Sequence, residues 1–300
     1  TVNVTRGGIS WTTGPDFATL WSAGTGFHYT EAEDIAGAYV EGTPNTVGAK
    51  PCYKIPCPTF TEARLEPDGL CLTAGLLQQK GYPEVISRTV RGAIVVHNHI
   101  VSQNQILGLV AGSTAVAAPA GTAGTLGPLL TAIEQQVEHY RYSQRMARGT
   151  TLEAIFPYWI RGAIRTDLAA RAGGGTSFID VTNAQIDSWF RSRGINPQFV
   201  YDWQPITGAA DALNQWPATV VFLLYAAGTW ALGTQDVITL DTLYDSVLLG
   251  TNDFVALFTE TAWLLAKLCH DSRAVTVPVC SDGSTGAAIA LECNLVPSTP

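Results

Sequence analysis

Residues 180 to 198 read DVTNAQIDSWFRSRGINPQ, a stretch in which the start, the buried face and the stop of a helix are all written locally. Thr182 and Gln185 have capping-box spacing, so each side chain can satisfy a backbone group at the helix start. Ile186, Trp189 and Phe190 fall on one side, Gly194 ends the helix and Pro197 prevents it from resuming. Strand-like runs follow at Gln198–Trp203, Ala218–Tyr225 and Asp236–Leu240.

Upstream, Pro157 to Ala172 predicts a helix with Ile160, Ile164 and Leu168 four apart, an Asp167–Arg171 pair on its outer side, and Gly173, Gly174 and Gly175 as its stop. Before it, Thr125 as N-cap and Pro128 in the first turn open a helix with the stripe Leu126, Leu129, Leu130, Ile133, Val137 and Tyr140, and Gly149 beyond its end. This interleaving predicts a compact α/β block from about 123 to 235. Further out, Pro83 opens and Gly112 closes a 29-residue run, a helix about 43 Å long. Its stripe is Ile86, Val90, Ala93, Ile94, Ile100, Val101 and Leu107.

The flanks have a different character. Residues 1 to 35 are Gly-rich and without a period, which reads as an extended arm. Residues 36 to 66 are dense in Pro, Gly and Thr, with short alternating runs (Tyr53, Ile55; Phe60, Arg64) that suit a long hairpin. Such segments bury little of their own surface and are expected to pack against another subunit. Leu243 to Val279 is rich in Val and Leu, and Gly283 to Pro300 is a short tail.

Only 14% of the chain is charged, against about 25% in an ordinary soluble domain. A membrane span fails on composition, because the apolar run Val220–Ala227 is short and Pro217, Gly228 and Gly233 interrupt its surroundings. Secretion is not favoured either: TVNVTRGGISW lacks the apolar core of a signal peptide, and the start at Thr1 is expected from removal of an initiator Met or a longer leader. Coverage by neighbouring subunits remains as the cause. The net charge of −8 argues against holding nucleic acid on a basic surface. Eight Arg lie between 141 and 193, whereas 194 to 266 carries seven acids and no Lys or Arg. Pairing within the domain together with solvated faces is expected, with contact between part of the Arg block and the acidic block of a neighbouring copy as the alternative.

No chemistry announces itself. G-x-S-x-G, the P-loop and H-E-x-x-H patterns are all missing. On a strand, His97 and His99 would face one way and could join Cys52 and Cys57 as metal ligands. On a helix they lie about 200° apart, which makes His97 a hydrogen-bonded core residue rather than a ligand. Cys269, His270 and Asp271 are consecutive, which does not assemble a triad. The six cysteines Cys52, Cys57, Cys71, Cys269, Cys280 and Cys293 are expected as free thiols. No catalytic, cofactor-binding or metal-ligating residue is assigned, and no cofactor is expected.

Four strings, LTAGLLQQKGYPEVI (72–86), QVEHYRYSQRMARGTTLEAIFPYWIRGAIRTDLAARA (136–172), DVTNAQIDSWFRSRGINPQFVYDWQ (180–204) and NDFVALFTETAWLLAKLCHDSRAVTVPVC (252–280), resemble major capsid proteins of tailed phages infecting actinobacteria. The resemblance implies the α+β Hong Kong 97-type fold, with an N-terminal arm (1–35), an extended loop (36–66), a peripheral domain with a long spine helix (67–122 and 236–300) and an axial domain (123–235). It further implies a non-enzymatic shell subunit that forms hexamers and pentamers around double-stranded DNA in the virion. Assembly would take place in the host cytoplasm, with portal and scaffold or decoration proteins as partners and no membrane. A nanocompartment shell enclosing a cargo enzyme shares that fold and is the alternative; a soluble cysteine- or metal-dependent enzyme is the third reading. Some relatives cross-link Lys to Asn, and Lys50 and Lys54 lie where the donor would be; Lys80 and Lys267 are the other two lysines. The resemblance also makes 252–269 part of a long strand, although Phe254, Leu257, Phe258, Thr261, Leu264, Leu265 and Leu268 fit a helical stripe.

Overall fold

A computed structural model of the chain describes residues 3–5, 7–23, 26–28, 30–36, 52–118, 125–147, 149–171, 181–206, 216–268 and 270–279. In chain order it has strands β1 (Asn3–Thr5) and β2 (Gly8–Thr12), helices α1 (Phe17–Ser22) and α2 (Glu31–Ala36), strands β3 (Phe60–Arg64) and β4 (Glu66–Gly75), and helices α3 (Leu76–Gly81) and α4 (Pro83–Ala111). Then come β5 (Thr114–Ala117), α5 (Leu126–Ser143), β6 (Leu152–Pro157), α6 (Ile160–Arg171), α7 (Asn183–Arg191), β7 (Ile195–Val200) and β8 (Thr219–Ala226). Strand β9 (Trp230–Leu240), helix α8 (Ser246–Leu249), β10 (Asp253–Lys267) and β11 (Ser272–Pro278) complete the described chain. No helix among the described residues is long and apolar enough to cross a membrane.

The compact block is built on a five-stranded sheet of order β5-β11-β8-β6-β7. Its β6–β7 and β5–β11 pairs are parallel and the others antiparallel. Strands β5 and β11 enter this sheet from outside residues 123–235. The core is aromatic: Phe156 stacks between Phe199 and Phe222 at centroid distances of 5.5 and 5.3 Å, and Phe190 of α7 closes the group at 5.1 Å. Each such pair contributes about 0.5–1.5 kcal/mol beyond its buried area. The capping box at α7 is present as read from the sequence, with the Thr182 hydroxyl accepting from Gln185 N–H and the Gln185 side chain accepting from Thr182 N–H. Gly194 takes the left-handed conformation, with φ +69°.

Three local expectations are corrected. The third helix begins at Ile160 rather than Pro157, because Pro157 is the last residue of β6, paired with Val200. Thr125 stands before α5 without a side-chain cap bond; the backbone N–H groups of Thr125 and Leu126 donate instead to Asp167 Oδ2. Asp167 is therefore buried against the start of α5 and does not lie on the outer side of its own helix; the side chain of Arg171, its expected partner, lies outside the described residues.

The elongated part consists of α4 laid against a three-stranded antiparallel sheet of order β4-β10-β9. The helix starts at Pro83 and ends at Ala111 with Gly112 as its C-cap, the bounds that proline and glycine set in the sequence. Asp68 on β4 joins the layers, accepting from Asn104 Nδ2 of α4 at 2.9 Å and from Trp263 Nε1 of β10 at 2.7 Å. Gly112 lets the helix end come close to Trp230: a Cβ there would stand 2.5 Å from the indole ring. The stretch 253–267 is a strand, as the resemblance implies, and not a helix.

Two buried phenols link stability to alkaline pH. Burial pushes the Tyr225 phenol far above its ordinary value, and the charge and hydrogen bonding of Glu153 add to the effect. Burial likewise raises Tyr140. A raised acid stays protonated in the folded state while its unfolded counterpart ionises at about pH 10. Stability is therefore expected to be complete below that pH and to fall as pH rises through and above it. Thermal melts between about pH 9 and 11 would show it; Tyr225→Phe should flatten the slope, and an unchanged slope would contradict the assignment.

Candidate assembly surface

The arm is anchored at its root. Strand β2 pairs with β1 on one side and β3 on the other, and Gly8 sits so close to β3 that a Cβ would lie 2.4 Å from the Ala63 carbonyl oxygen. Trp11 of β2 is only 5% exposed and packs with Leu264 and Ala266 of β10. The arm is thus not extended throughout. It holds two strands and two short helices, and its root is buried on its own chain. Residues 37–51 of the expected hairpin, Lys50 among them, lie outside the described residues; 52–59 have no regular structure, and among the described residues β3 pairs with β2.

Beyond the root, Asp16 caps α1 by accepting from Thr19 N–H at 2.7 Å. Hydrogen bonds from Thr19, side chain and backbone, hold the Asp16 carboxyl below its usual range against the opposing effect of burial, with smaller contributions from Gln144 and His270. Arg145, at the end of α5, lays its guanidinium 4.0 Å from the Trp21 ring centre. These contacts seat α1 on the block, yet Phe17, Trp21, Phe27 and Ile35 all remain exposed.

The long helix has two apolar faces. Ile86, Val90, Ala93, His97 and Val101 turn toward the sheet, whereas Val85, Ile94, Val95, Val96, Ile100 and Leu107 are exposed. The sequence stripe thus mixed inner residues (Ile86, Val90, Ala93, Val101) with outer ones (Ile94, Ile100, Leu107). His97 and His99 part as a helix requires. His97 is buried with no hydrogen-bond partner at Nε2, while His99 Nδ1 lies 2.6 Å from Asp202 Oδ1 beside Tyr201. The core position of His97 agrees with the sequence; its lack of a partner does not. A buried polar atom without a partner costs about 1–3 kcal/mol, so His97→Leu is expected to raise the unfolding free energy by about 1 kcal/mol in urea titration. A loss of stability would show that His97 is satisfied.

Twenty-four large apolar side chains are exposed among the described residues. Only Tyr142, Tyr158 and Tyr201 belong to the five-stranded sheet, its helices and their connections; the rest lie on the arm, the loop, the long helix and the long sheet with its end, Leu232 of β9 among them. The block has therefore buried its apolar residues in its own core, and the elongated part has not. Scattered exposed apolar groups are ordinary, but a concentration of them on arm, helix and sheet marks interaction surface.

Charge follows the same division. Arg161 pairs with Asp187 at 2.6 Å, Arg193 with Glu134, and Arg141 with Glu138 at 3.7 Å. These partners lie within or beside the Arg block, not in the acidic block. Asp202 binds His99 and Asp253 accepts from Thr251, while no ion pair reaches Asp236, Asp241, Asp245 or Glu260 among the described residues. Among the described residues the two blocks do not pair with each other: Arg141, Arg161 and Arg193 are matched nearby, and Asp236, Asp241 and Asp245 face solvent.

No group of three His, Cys, Asp or Glu arranged to hold a metal occurs among the described residues. Cys57 and Cys71 are exposed free thiols and Cys52 is exposed; Cys269, Cys280 and Cys293 lie outside the described residues. His270 and Asp271 line an open polar cleft of about 460 Å³ with Asp16, Gln144 and Lys267.

No family profile matches the chain, and no curated protein matches its sequence. Solved structures do match. The structure of Mycobacterium phage Che8 aligns with a TM-score of 0.54 at 9% identity, covering 90% of this chain and 85% of that one. That of Microbacterium phage Oxtober96 aligns at 0.52 and 12% identity, covering 91% and 87%. The asymmetric unit of the bacteriophage PhiM1 mature capsid aligns at 0.44 and 10% identity over 79% of each chain. At such identities the likeness is one of fold, and it extends over about nine-tenths of the chain: the chain has the α+β fold of these phage structures.

Proposed function

We propose that the chain is the major capsid subunit of a tailed phage, assembling into hexamers and pentamers of an icosahedral shell around double-stranded DNA. The observation that carries this reading is the division of apolar surface: a block with a closed aromatic core, and an arm, helix and sheet whose apolar side chains stay uncovered in the single chain. A subunit of this kind is completed by its neighbours. The shared fold supports the reading.

Within it, residues 1–35 are the arm, 36–66 the loop that lies over an adjacent subunit, 67–122 with 236–300 the peripheral domain, and 123–235 the axial domain. The subunit is not an enzyme. It is assembled in the host cytoplasm, resides in the virion, and meets a portal and scaffold or decoration proteins. An acidic, weakly attracting wall suits a container whose genome must leave it. Size-exclusion chromatography with light scattering and negative-stain microscopy of the purified protein test this. Closed shells are expected, with nucleic acid rather than an enzyme as the contents of particles from infected cells; a monomer at every concentration and salt would overturn it.

A further inference from the structure

The end of the long sheet farthest from the block carries two lobes side by side. One is α3 with the start of α4; the other is the turn after β9 with α8. They touch through Leu76 N–H, which donates to the Asn252 carbonyl at 2.8 Å, and through Tyr244, which donates to Gln79 Oε1 at 3.5 Å. Both lobes are apolar and open. Leu77 is 81% exposed and Val247 76%, with Tyr82 and Val85 on the first lobe and Leu243 and Tyr244 on the second also exposed.

Their charges are opposite and unmatched. The first lobe presents Lys80 and Arg88, with Glu84 as its one acid; the second presents Asp241 and Asp245. Lys80, Arg88, Asp241 and Asp245 are exposed, and none has an ion pair among the described residues, although the two lobes adjoin. Nor is Asp245 used as a helix cap: it stands before α8 without a side-chain bond. Each lobe is thus an apolar patch rimmed by charge of one predominant sign, and its complement is the other lobe.

Resting on the capsid reading, we propose that this end of the sheet is a contact between copies, in which the Lys80–Arg88 lobe of one subunit seats on the Asp241–Asp245 lobe of another. Charge complementarity selects a second copy as the occupant, since the same chain supplies both halves in equal number. The apolar centre supplies affinity, and the charges fix which lobe meets which.

The test is charge reversal with rescue. Asp241→Lys with Asp245→Lys, and separately Lys80→Asp with Arg88→Asp, place like charges across the contact. Each is expected to cut the associated fraction in sedimentation velocity by about tenfold or more at equal protein concentration. The fourfold variant restores opposite charges and is expected to return association to within about threefold of the parent. All positions are exposed, so circular dichroism and thermal melts should be unchanged. As a measurement free of mutation, added salt should weaken association of the unaltered protein. Unimpaired double variants, or a fourfold variant that folds but stays as defective as the doubles, would overturn the contact. Shells that form regardless of these changes sink the contact and spare the capsid reading. Small oligomers that respond to reversal and rescue, but never close into shells, support the contact and sink the capsid reading. A chain monomeric throughout refutes both.

Discussion

Arg273→Met is expected to lower the unfolding free energy of the unassembled subunit by about 2 kcal/mol, from the loss of several charge-assisted hydrogen bonds made by a buried guanidinium. Arg273 lies on β11 between β5 and β8, and its side chain is nearly fully buried. From there it crosses to one face of α5, donating to Gln136 Oε1 at 3.1 Å, His139 Nδ1 at 2.9 Å and Ser143 Oγ at 3.1 Å. A guanidinium can only donate, so His139 Nδ1 is the acceptor and its proton sits on the other ring nitrogen. The same group lies 5.0 Å from the Tyr140 ring centre and 3.7 Å from Asp271. Methionine would fill much of the volume but lose all three hydrogen bonds, whose acceptors belong to the half-buried Gln136 and Ser143 and the exposed His139. Urea unfolding, at a concentration where the chain does not associate, is the measurement. Arg273→Lys should recover less than half of the loss, because one ammonium cannot reach the same spread of acceptors. A loss under about 1 kcal/mol for the methionine variant would mean that the network is dispensable.

Nothing local in the sequence marks Arg273, and this separates what was legible from what was not. The helix α7 was readable because its cap, face and stop are neighbours in the chain. So was α4, where Pro83 and Gly112 delimit 29 residues and the register places His97 inside and His99 outside. The strand β10 misled the periodicity for a physical reason. Helix α4 packs on this strand, and at Trp11 the arm sheet packs on it as well, so apolar residues occur on successive positions rather than alternating. Register shifts at Val255/Leu257 and Glu260/Thr261 disturb the remaining alternation. The apolar spacing that survives coincides with a helical stripe, and only the resemblance corrected it.

The assembly surface was legible as a deficit and not as a place. Low charge and self-unsupported flanks pointed to coverage by neighbours, but the stripe on α4 could not tell Val101, which faces the sheet, from Ile100, which faces out. Both are branched apolar residues on one helix, and only the position of the sheet distinguishes them. The arm's root was missed because Trp11 finds its pocket on a strand some 250 residues later. The acids after residue 194 read as partners for the Arg block because a sequence shows matching totals. The fold instead gives Arg193, Arg141 and Arg161 the partners Glu134, Glu138 and Asp187.

Asp167→Ala is expected to lower the unfolding free energy by about 2–3 kcal/mol, because the change removes a cap and leaves buried backbone donors unsatisfied. The Asp167 carboxylate of α6 accepts the N–H of Thr125 at 2.9 Å and that of Leu126, the first residue of α5. Helix α5 is 18 residues long and buries Leu129, Ile133, Val137 and Tyr140 in the block's core. Its first N–H groups have no partner within the helix, and its dipole presents partial positive charge at that end. Thr125 occupies the capping position but makes no side-chain cap bond, so the duty passes to an anion from another helix. One buried carboxylate thus satisfies α5 and ties α6 to it. Asp167→Asn retains an acceptor oxygen without the charge and should lose about half as much, which separates hydrogen bonding from the electrostatic part. Hydrogen exchange should locate the damage: the amides of the first turn of α5 lose protection, while those of α7, which carries its own capping box, do not. If alanine and asparagine cost the same, charge is not what the helix requires; if neither costs more than about 0.5 kcal/mol, the cap contributes nothing and Thr125 must hold the helix start another way.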